Sequence, residues 1–152
     1  MARPAPLSDA DYRALARFRQ QLRQFLSFSE DAARGAGLQP RHHQALLAIR
    51  GGERPSVGDL GERLGIKPHS AAELVNRLVA ARLVRRQPDT QDRRRVYLVL
   101  TPAALRRLES LSIAHHRELQ RLAVLWKPLF RAFERETEKA GGKARKSGKK
   151  KG

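Results

Sequence analysis

At 152 residues, the chain has the length of one ordinary domain and is short for two independent ones. Its 32 Lys and Arg residues against 15 Asp and Glu leave a formal charge of +17, which favours a polyanionic partner such as nucleic acid or an anionic membrane surface. The absence of cysteine excludes a disulfide framework and a thiol redox switch.

Other classes of protein are excluded by what the sequence lacks. No stretch approaches the roughly 20 apolar residues needed to cross a bilayer, and the N-terminal residues lack the apolar core of a signal peptide. We therefore expect a cytoplasmic, nucleoid-associated protein with no membrane partner. No phosphate-cradling glycine loop, nucleophile elbow or pair of carboxylates is present, so we expect neither an enzyme nor a cofactor.

The N-terminal part of the chain predicts two helices. Ser8 is followed by acidic residues, as is typical of a helix N-cap and first turn. Apolar residues then recur at helical spacing, which predicts a first helix over about 9–34. Pro40 suits the first turn of a second helix, which ends at Gly51.

The next segment predicts a helix-turn-helix. Ser56 can cap a short third helix, and Gly65 makes the turn. A fourth helix follows over about 67–83, with an apolar stripe on one face. The opposite face is polar and carries His69, Glu73, Asn76 and Arg77.

A hairpin and a long helical region complete the chain. A strand begins after Leu83, a turn-rich segment follows over 87–92, and VYLVL forms the returning strand. Thr101 caps the next helix, with proline at its first position. Leucines extend an apolar face as far as Pro128, where we expect the helix to break before a last helix.

The order of these elements indicates DNA binding. A helix pair alone is weak evidence, because such pairs are common. Here the pair runs into a hairpin whose tip reads Asp92-Arg93-Arg94-Arg95. A helix fits the major groove and an arginine fits a narrow minor groove, so one protomer can read both.

The run SVGDLGERLGIKPHSAAELVNRLVAARLVRRQPDTQDRRRVYLVLTPAAL resembles the winged helix of the MarR family of bacterial transcriptional regulators. Its most specific elements are LGERLG, LVNRL and the wing DRR closing on LT. The resemblance implies a mainly α fold with a small β-hairpin. It also implies an obligate homodimer that binds a pseudo-palindromic operator in double-stranded DNA, as a repressor in our interpretation, and often loses affinity when a small phenolic or aromatic ligand binds.

The resemblance covers about 8–138 and implies a single domain. Within it, 40–101 form the DNA-binding winged helix, and 8–37 with 102–138 supply the dimerisation helices. The remaining 139–152 are expected to form a flexible basic tail, because from Gly141 onward no apolar residue is larger than Ala.

The family pattern assigns roles residue by residue. The recognition helix begins at Lys67, Arg94 enters the minor groove, and Asp92 holds the wing in shape through a nearby arginine. The residues expected to face the major groove are His69, Ser70, Glu73, Asn76 and Arg77. The residues expected to contact phosphates are Arg85, Arg86, Arg93 and Arg95.

Glu73 departs from that pattern, because many family members place a basic or hydroxyl side chain there. Its carboxylate can accept a hydrogen bond from cytosine N4 or pair with Arg77 one helical turn later. We favour the intrahelical pair, since glutamate four residues before arginine is the preferred orientation.

Histidines and aromatic residues mark a candidate effector pocket. Phe18, Phe25, His43 and His115, with Phe28, can line a pocket for an aromatic ligand, although the same residue types suit a core. Trp126, Phe130 and Phe133 are better interpreted as dimer core than as a cofactor box. The pairs His42-His43 and His115-His116 leave a zinc-responsive regulator as an alternative, but adjacent histidines point in different directions, so we expect no metal.

A general basic nucleic-acid-binding protein is the other alternative. Six positive charges lie in the last twelve residues, which fits bulk binding of RNA or DNA as well as it fits a regulator. A specific regulator predicts two half-sites about 10 base pairs apart, whereas a bulk binder predicts none.

Overall fold

A computed structural model describes residues 6–147, with side chains as far as 131. Its elements in chain order are α1 (Asp9–Gly35), α2 (Pro40–Arg50), α3 (Val57–Leu64), α4 (Pro68–Ala80), β1 (Val84–Pro88), β2 (Val96–Leu100) and α5 (Pro102–Ser147). The predicted fold class, mainly α with a small hairpin, is confirmed. Among the described helices, none has the length and apolar character needed to cross a membrane.

The chain divides into two compact units. The winged-helix unit is Phe28–His115, and the helical unit consists of the residues through Ser27 with those from His116 onward. The boundaries differ from the predicted ranges, because the C-terminal part of α1 and the first turns of α5 belong to the winged-helix unit. Ala33 of α1 and Leu108 of α5 are both buried in its core.

The predicted helix starts are confirmed by their hydrogen bonds. At the start of α1, Ser8 Oγ accepts from the Asp11 N–H and the Asp11 carboxylate accepts from the Ser8 N–H. Ser56 and Asp59 form the same reciprocal capping box at α3. Thr101 Oγ1 accepts the Ala104 N–H at 3.2 Å, so α5 begins where expected.

The core of the winged-helix unit is aliphatic. Leu46, Leu60, Val75, Leu78 and Val84 are its largest fully buried side chains within that unit, and they come from α2, α3, α4 and β1. Each lies at the helical or strand spacing that the sequence pattern uses. Burial of this one face of α4 leaves the opposite face in solvent.

The end of α4 was predicted three residues too late. The helix ends at Ala80 and Arg82 adopts a positive φ of 56°, so the chain turns before Leu83. Leu83 and Val84 are then buried as the chain enters the hairpin. Leu83 and Val84 continue the apolar spacing of the helix, but they reach the core from non-helical backbone.

The hairpin is antiparallel, with Val84 opposite Leu100 and Pro88 opposite Val96. β1 therefore includes residues 87 and 88, which were predicted as turn. The N–H of Leu98 donates to the carbonyl of Pro55 at 2.8 Å, which ties β2 to the segment between α2 and α3.

The predicted break at Pro128 is wrong, because α5 continues through it. Proline removes one backbone hydrogen bond, to the carbonyl of Val124, and such a loss is tolerated where packing holds the helix on both sides. In the helical unit, Leu122 and Leu129 are buried on either side of Pro128. Phe18 of α1 contacts both Trp126 and Phe130, with ring centroids 5.4 and 6.1 Å apart.

The first residues of the predicted tail have helical backbone in the structure. The helix extends through Gly141 and Gly142 to Ser147, although each glycine costs a helix about 1 kcal/mol relative to alanine. Residues 148–152 of the predicted tail, and the side chain of Phe133 in the predicted dimer core, lie outside what the structure describes.

Candidate nucleic-acid interface

The exposed face of α4 carries the predicted groove-reading residues. Ala71, Leu74, Val75 and Leu78 are buried on its inner face. On the outer face, Lys67, His69, Glu73, Asn76 and Arg77 are exposed and Ser70 is half-buried. Lys67 is the N-cap rather than the first helical residue, and Pro68 occupies the first position of the helix.

A tight turn places α4 against α3. Gly65 ends α3 with φ of 62°, a left-handed conformation that glycine adopts without strain. At Gly61, a Cβ would lie 3.2 Å from the Cβ of Ala71, so the two helices approach closely there. Both glycines belong to the LGERLG element, which covers the end of α3 and the predicted turn.

The wing is shaped by Asp92. Its carboxylate accepts the backbone N–H of Arg94 at 3.1 Å, and its carbonyl accepts the N–H of Arg95 at 2.9 Å. Both guanidinium groups lie within 4.0 Å of the same carboxylate. The side chain of Arg94 is 95% exposed at the tip, so it is available to a partner.

A cluster at the base of the wing has no counterpart in the predictions. Asp89 Oδ2 accepts from the Tyr97 hydroxyl at 3.2 Å, and Asp89 Oδ1 lies 3.4 Å from Arg54 Nη2. The Arg54 guanidinium lies over the Tyr97 ring, 4.1 Å from its centroid. Burial opposes ionisation of Asp89, but the Gln91 N–H, the Tyr97 hydroxyl and the Arg54 charge outweigh it and hold the pKa below its ordinary value.

The structure also joins the recognition helix to β1. Arg86 Nη2 donates to Asn76 Oδ1 at 2.7 Å, so two residues predicted to contact different parts of DNA are bonded to each other. The spacing of these residues along the chain carries no signal for this contact. Arg85, next along β1, is exposed as well.

The favoured Glu73 interpretation is wrong. Among the described side chains, no ion pair joins Glu73 to Arg77. An exposed i,i+4 pair gains only about 0.3–0.5 kcal/mol, which the loss of side-chain freedom can cancel. Arg77 lies close enough to His42 of α2 that its charge, after burial, lowers the pKa of that imidazole.

Two of the predicted effector-pocket residues meet in the winged-helix unit. His43 is only 4% exposed. The ring centroid of His115 lies 4.9 Å from that of His43 and 5.4 Å from that of Phe28. Burial, followed by the charge of His115, lowers the pKa of His43. Phe18 and Phe25 belong to the helical unit, where Phe18 packs on Trp126.

The imidazole of His115 is held by short contacts at both nitrogens. Nδ1 lies 2.7 Å from the carbonyl oxygen of Leu111, and Nε2 lies 2.7 Å from Ser29 Oγ. Within residues 6–131, no group of three His, Cys, Asp or Glu side chains has the proximity needed to hold a metal ion.

Comparison with known proteins places the chain in a family. The sequence profile of the MarR family matches residues 36–95, from the end of α1 to the wing. YcgE of Bacillus subtilis (strain 168), an uncharacterized HTH-type transcriptional regulator, is 30% identical over 104 residues, which is 68% of this chain and 68% of YcgE. The chain belongs to the MarR family. The resemblance drawn from the wing and the helix-turn-helix is thereby confirmed.

Solved MarR family structures share the fold. AbsC of Streptomyces coelicolor superposes with a TM-score of 0.60 at 20% identity, over 86% of this chain and 98% of AbsC. The DNA complex of MepR from S. aureus gives a TM-score of 0.63 at 17% identity, over 86% of this chain and 90% of MepR. As a MarR family member, the chain is a DNA-binding transcriptional regulator.

Proposed function

We propose that this MarR family member is a sequence-specific repressor that binds a pseudo-palindromic operator as a homodimer. The observation that carries the proposal is the exposed polar face of α4 beside an arginine wing within one compact unit. α4 enters the major groove, and the side chain of Arg94, 95% exposed, enters the adjacent minor groove. Asp92 supports the wing by bonding its backbone.

Phosphate contacts come from the remaining exposed arginines. Arg85, Arg93 and Arg95 are exposed on the hairpin, and Arg95 also lies 3.8 Å from the exposed carboxylate of Asp92. Contacts of this kind give affinity and register rather than base preference. Their contribution falls as salt is added, because binding releases counterions from DNA.

The homodimer is supported by the surface of the helical unit. Large apolar side chains are exposed there on both helices, namely Tyr12, Leu15, Leu22, Leu26, Leu119, Val124, Leu125 and Phe130. Two buried polar atoms of the same unit, Gln21 Oε1 and Trp126 Nε1, lack hydrogen-bond partners among the described residues. A second copy that covers this surface would remove the apolar area from water.

Arg94→Ala tests the specific interaction. Selected operator duplexes should show two protected half-sites about 10 base pairs apart, and Arg94→Ala should lower affinity about tenfold or more. Arg117→Ala is the matched control, since Arg117 is an exposed arginine of the helical unit. Equal losses in the two variants, with no defined half-sites, would contradict sequence-specific binding.

Bulk nucleic-acid binding is the competing function, favoured by the six positive charges of the last twelve residues. A chain that ends at residue 140 separates the two. The regulator keeps its preference for operator over random duplex after truncation, because α4 and the wing remain. A bulk binder loses most of its affinity and shows no preference before or after.

We further propose that a small aromatic or phenolic ligand weakens operator binding. The support is the aromatic group formed by His43, His115 and Phe28, in which the ring of His115 lies 4.9 Å from that of His43 and 5.4 Å from that of Phe28. For the ligand to act, it must bind the DNA-competent and incompetent states with different affinity. Titration of the operator complex with benzoate or phenol, followed by fluorescence anisotropy, tests the proposed ligand effect. Release of the operator by wild type that is lost in His43→Ala would support the proposal. Operator affinity that stays unchanged in wild type would contradict it for these ligands.

A further inference from the structure

The contact between Arg86 and Asn76 determines which side of the Asn76 amide faces outward. Arg86 lies in the middle of β1, paired with Leu98 across the hairpin, and its Nη2 donates to Asn76 Oδ1 at 2.7 Å. Asn76 lies on the exposed face of α4, between the buried Val75 and Leu78. A strand residue is thus bonded to a side chain expected to read DNA.

The chemistry of the two groups leaves one orientation of the amide. A guanidinium has five N–H donors and no acceptor, so the Asn76 atom that meets Arg86 must be the carbonyl oxygen. The NH₂ of the amide is then directed away from Arg86. An unrestrained asparagine offers two N–H donors and an oxygen with two lone pairs, whereas in Asn76 one of those lone pairs is already taken by Arg86 and both donors remain.

Base recognition depends on that difference. Asparagine recognises adenine by two simultaneous bonds, accepting from N6–H and donating to N7. That mode needs the carbonyl oxygen, where Arg86 already donates to one of the two lone pairs and where its positive charge repels a second N–H donor. An amide that mainly donates suits bases that present only acceptors in the major groove, guanine with O6 and N7 or thymine with O4, whereas adenine places the N6–H donor beside its N7 acceptor.

We propose that Arg86 is a specificity-determining residue that acts through Asn76, and that Asn76 thereby prefers a keto base over adenine. The proposal rests on sequence-specific DNA binding by this chain. It changes the role predicted for Arg86 from a phosphate contact to a positioning residue. Arg86 remains charged and still adds to the attraction for DNA.

Binding selection from randomised duplexes, with the full chain, tests the proposal. Wild type should prefer guanine or thymine at the base position next to Asn76. Arg86→Ala frees the Asn76 oxygen, so adenine should gain at that single position by about fivefold or more relative to the keto bases. Thermal unfolding of each variant checks that the exposed substitutions leave the fold intact.

Arg85→Ala is the matched control. Arg85 is the neighbouring exposed arginine of β1, and its loss removes one positive charge without touching Asn76. It should weaken binding about equally for all sequences and leave the base profile unchanged. In an Asn76→Ala background, Arg86→Ala should behave like Arg85→Ala, because the side chain through which Arg86 acts has been removed.

The outcomes separate this inference from the proposed function. A wild-type profile with a base preference that Arg86→Ala does not alter overturns the inference and leaves the regulator intact. A wild-type profile that is flat at every position overturns both. A shift toward adenine that persists in the Asn76→Ala background also overturns the role of Asn76.

Discussion

The Asp89 carboxylate brings together two side chains from other parts of the winged-helix unit, those of Arg54 and Tyr97. Arg54 is separated from it by 35 positions, and Tyr97 lies on the opposite strand. Arg54 itself has a positive φ of 49°, an uncommon conformation for a residue with a Cβ, and its contacts with Asp89 and Tyr97 hold it there. This cluster joins the segment before α3 to the base of the wing.

Asp89→Asn should lower operator affinity several-fold, because the neutral amide releases Arg54 and loosens the wing. Fluorescence anisotropy with a labelled operator measures the change. Asp31→Asn is the matched control, since it removes the same charge from an exposed position of α1. If both variants bind DNA more tightly than wild type by the same factor, only net charge matters and the cluster has no role in binding.

His43 should make the free energy of unfolding depend on pH. Burial, with the charge of His115, places its folded pKa below the ordinary value of 6.5. As pH falls through 6.5, His43 binds a proton in the unfolded chain but stays neutral in the folded protein. The free energy of unfolding therefore decreases toward acid pH and is higher at neutral pH. His42, lowered by burial and by Arg77, acts in the same direction.

Urea unfolding at pH 7.5 and 5.5 measures this decline. His43→Gln should reduce the difference between the two pH values. The exposed His116→Gln is the control and should retain it. A His43→Gln variant that loses as much stability toward acid as wild type would contradict the assignment.

At the scale of elements, α5 shows how packing overrides a local signal. Pro128 cannot donate to the carbonyl of Val124, and yet the helix runs from Pro102 to Ser147. Contacts of Phe18 with Trp126 and Phe130, on either side of the proline, hold the two parts against α1. The helix is therefore kept at the expense of one backbone hydrogen bond.

Pro128→Ala should raise the free energy of unfolding by roughly 1–2 kcal/mol. Restoring the hydrogen bond gains up to about 3 kcal/mol, and part of it is offset by the freer unfolded chain. Thermal and urea unfolding followed by circular dichroism measure the change. Pro102→Ala is the matched control at the first position of the same helix, where no N–H is needed, and it should lower stability by about 0.4–1 kcal/mol. A destabilised Pro128→Ala would mean that the proline ring itself packs favourably.

The whole molecule consists of two units with different surfaces. The winged-helix unit exposes charged and polar groups on α4 and the hairpin, whereas the helical unit exposes large apolar side chains. Apolar area of this kind on a charged protein marks an interaction surface. We expect it to be the homodimer interface.

Val124→Glu should dissociate the dimer. Val124 is 67% exposed in the isolated chain, and a carboxylate placed there would be buried without a partner on association. Light scattering at micromolar concentration should show a dimer for wild type and a monomer for the variant. Leu47→Glu is the control, because Leu47 is 51% exposed on α2 of the other unit. A monomeric wild type, or a dimeric Val124→Glu, would contradict the proposed interface.

Dimer formation also bears on DNA binding. A two-fold symmetric protein presents two α4 helices to two half-sites, and each half-site alone binds more weakly. Val124→Glu should therefore lower operator affinity much more than half-site affinity, although it lies outside the winged-helix unit.

The sequence by itself determined the elements whose causes are local. Ser8, Ser56 and Thr101 begin helices because each side chain bonds a backbone N–H three residues away. Gly65 makes the turn through its own φ. The exposed polar face of α4 and the arginine tip of the wing follow from the periodicity and order of the sequence, and the family resemblance rests on the same segments.

Only the tertiary structure decided the contacts between residues that are distant in sequence. Arg86 contacts Asn76, and Asp89 contacts Arg54, because separate elements pack together. The spacing of residues along the chain does not predict which side chains come within bonding distance when elements pack. Packing also explains why α5 continues through Pro128. Contacts with α1 compensate for the missing backbone hydrogen bond, which the sequence alone predicted would end the helix. Local chemistry thus placed α4 and the wing, and packing set the hydrogen bonds that orient their side chains.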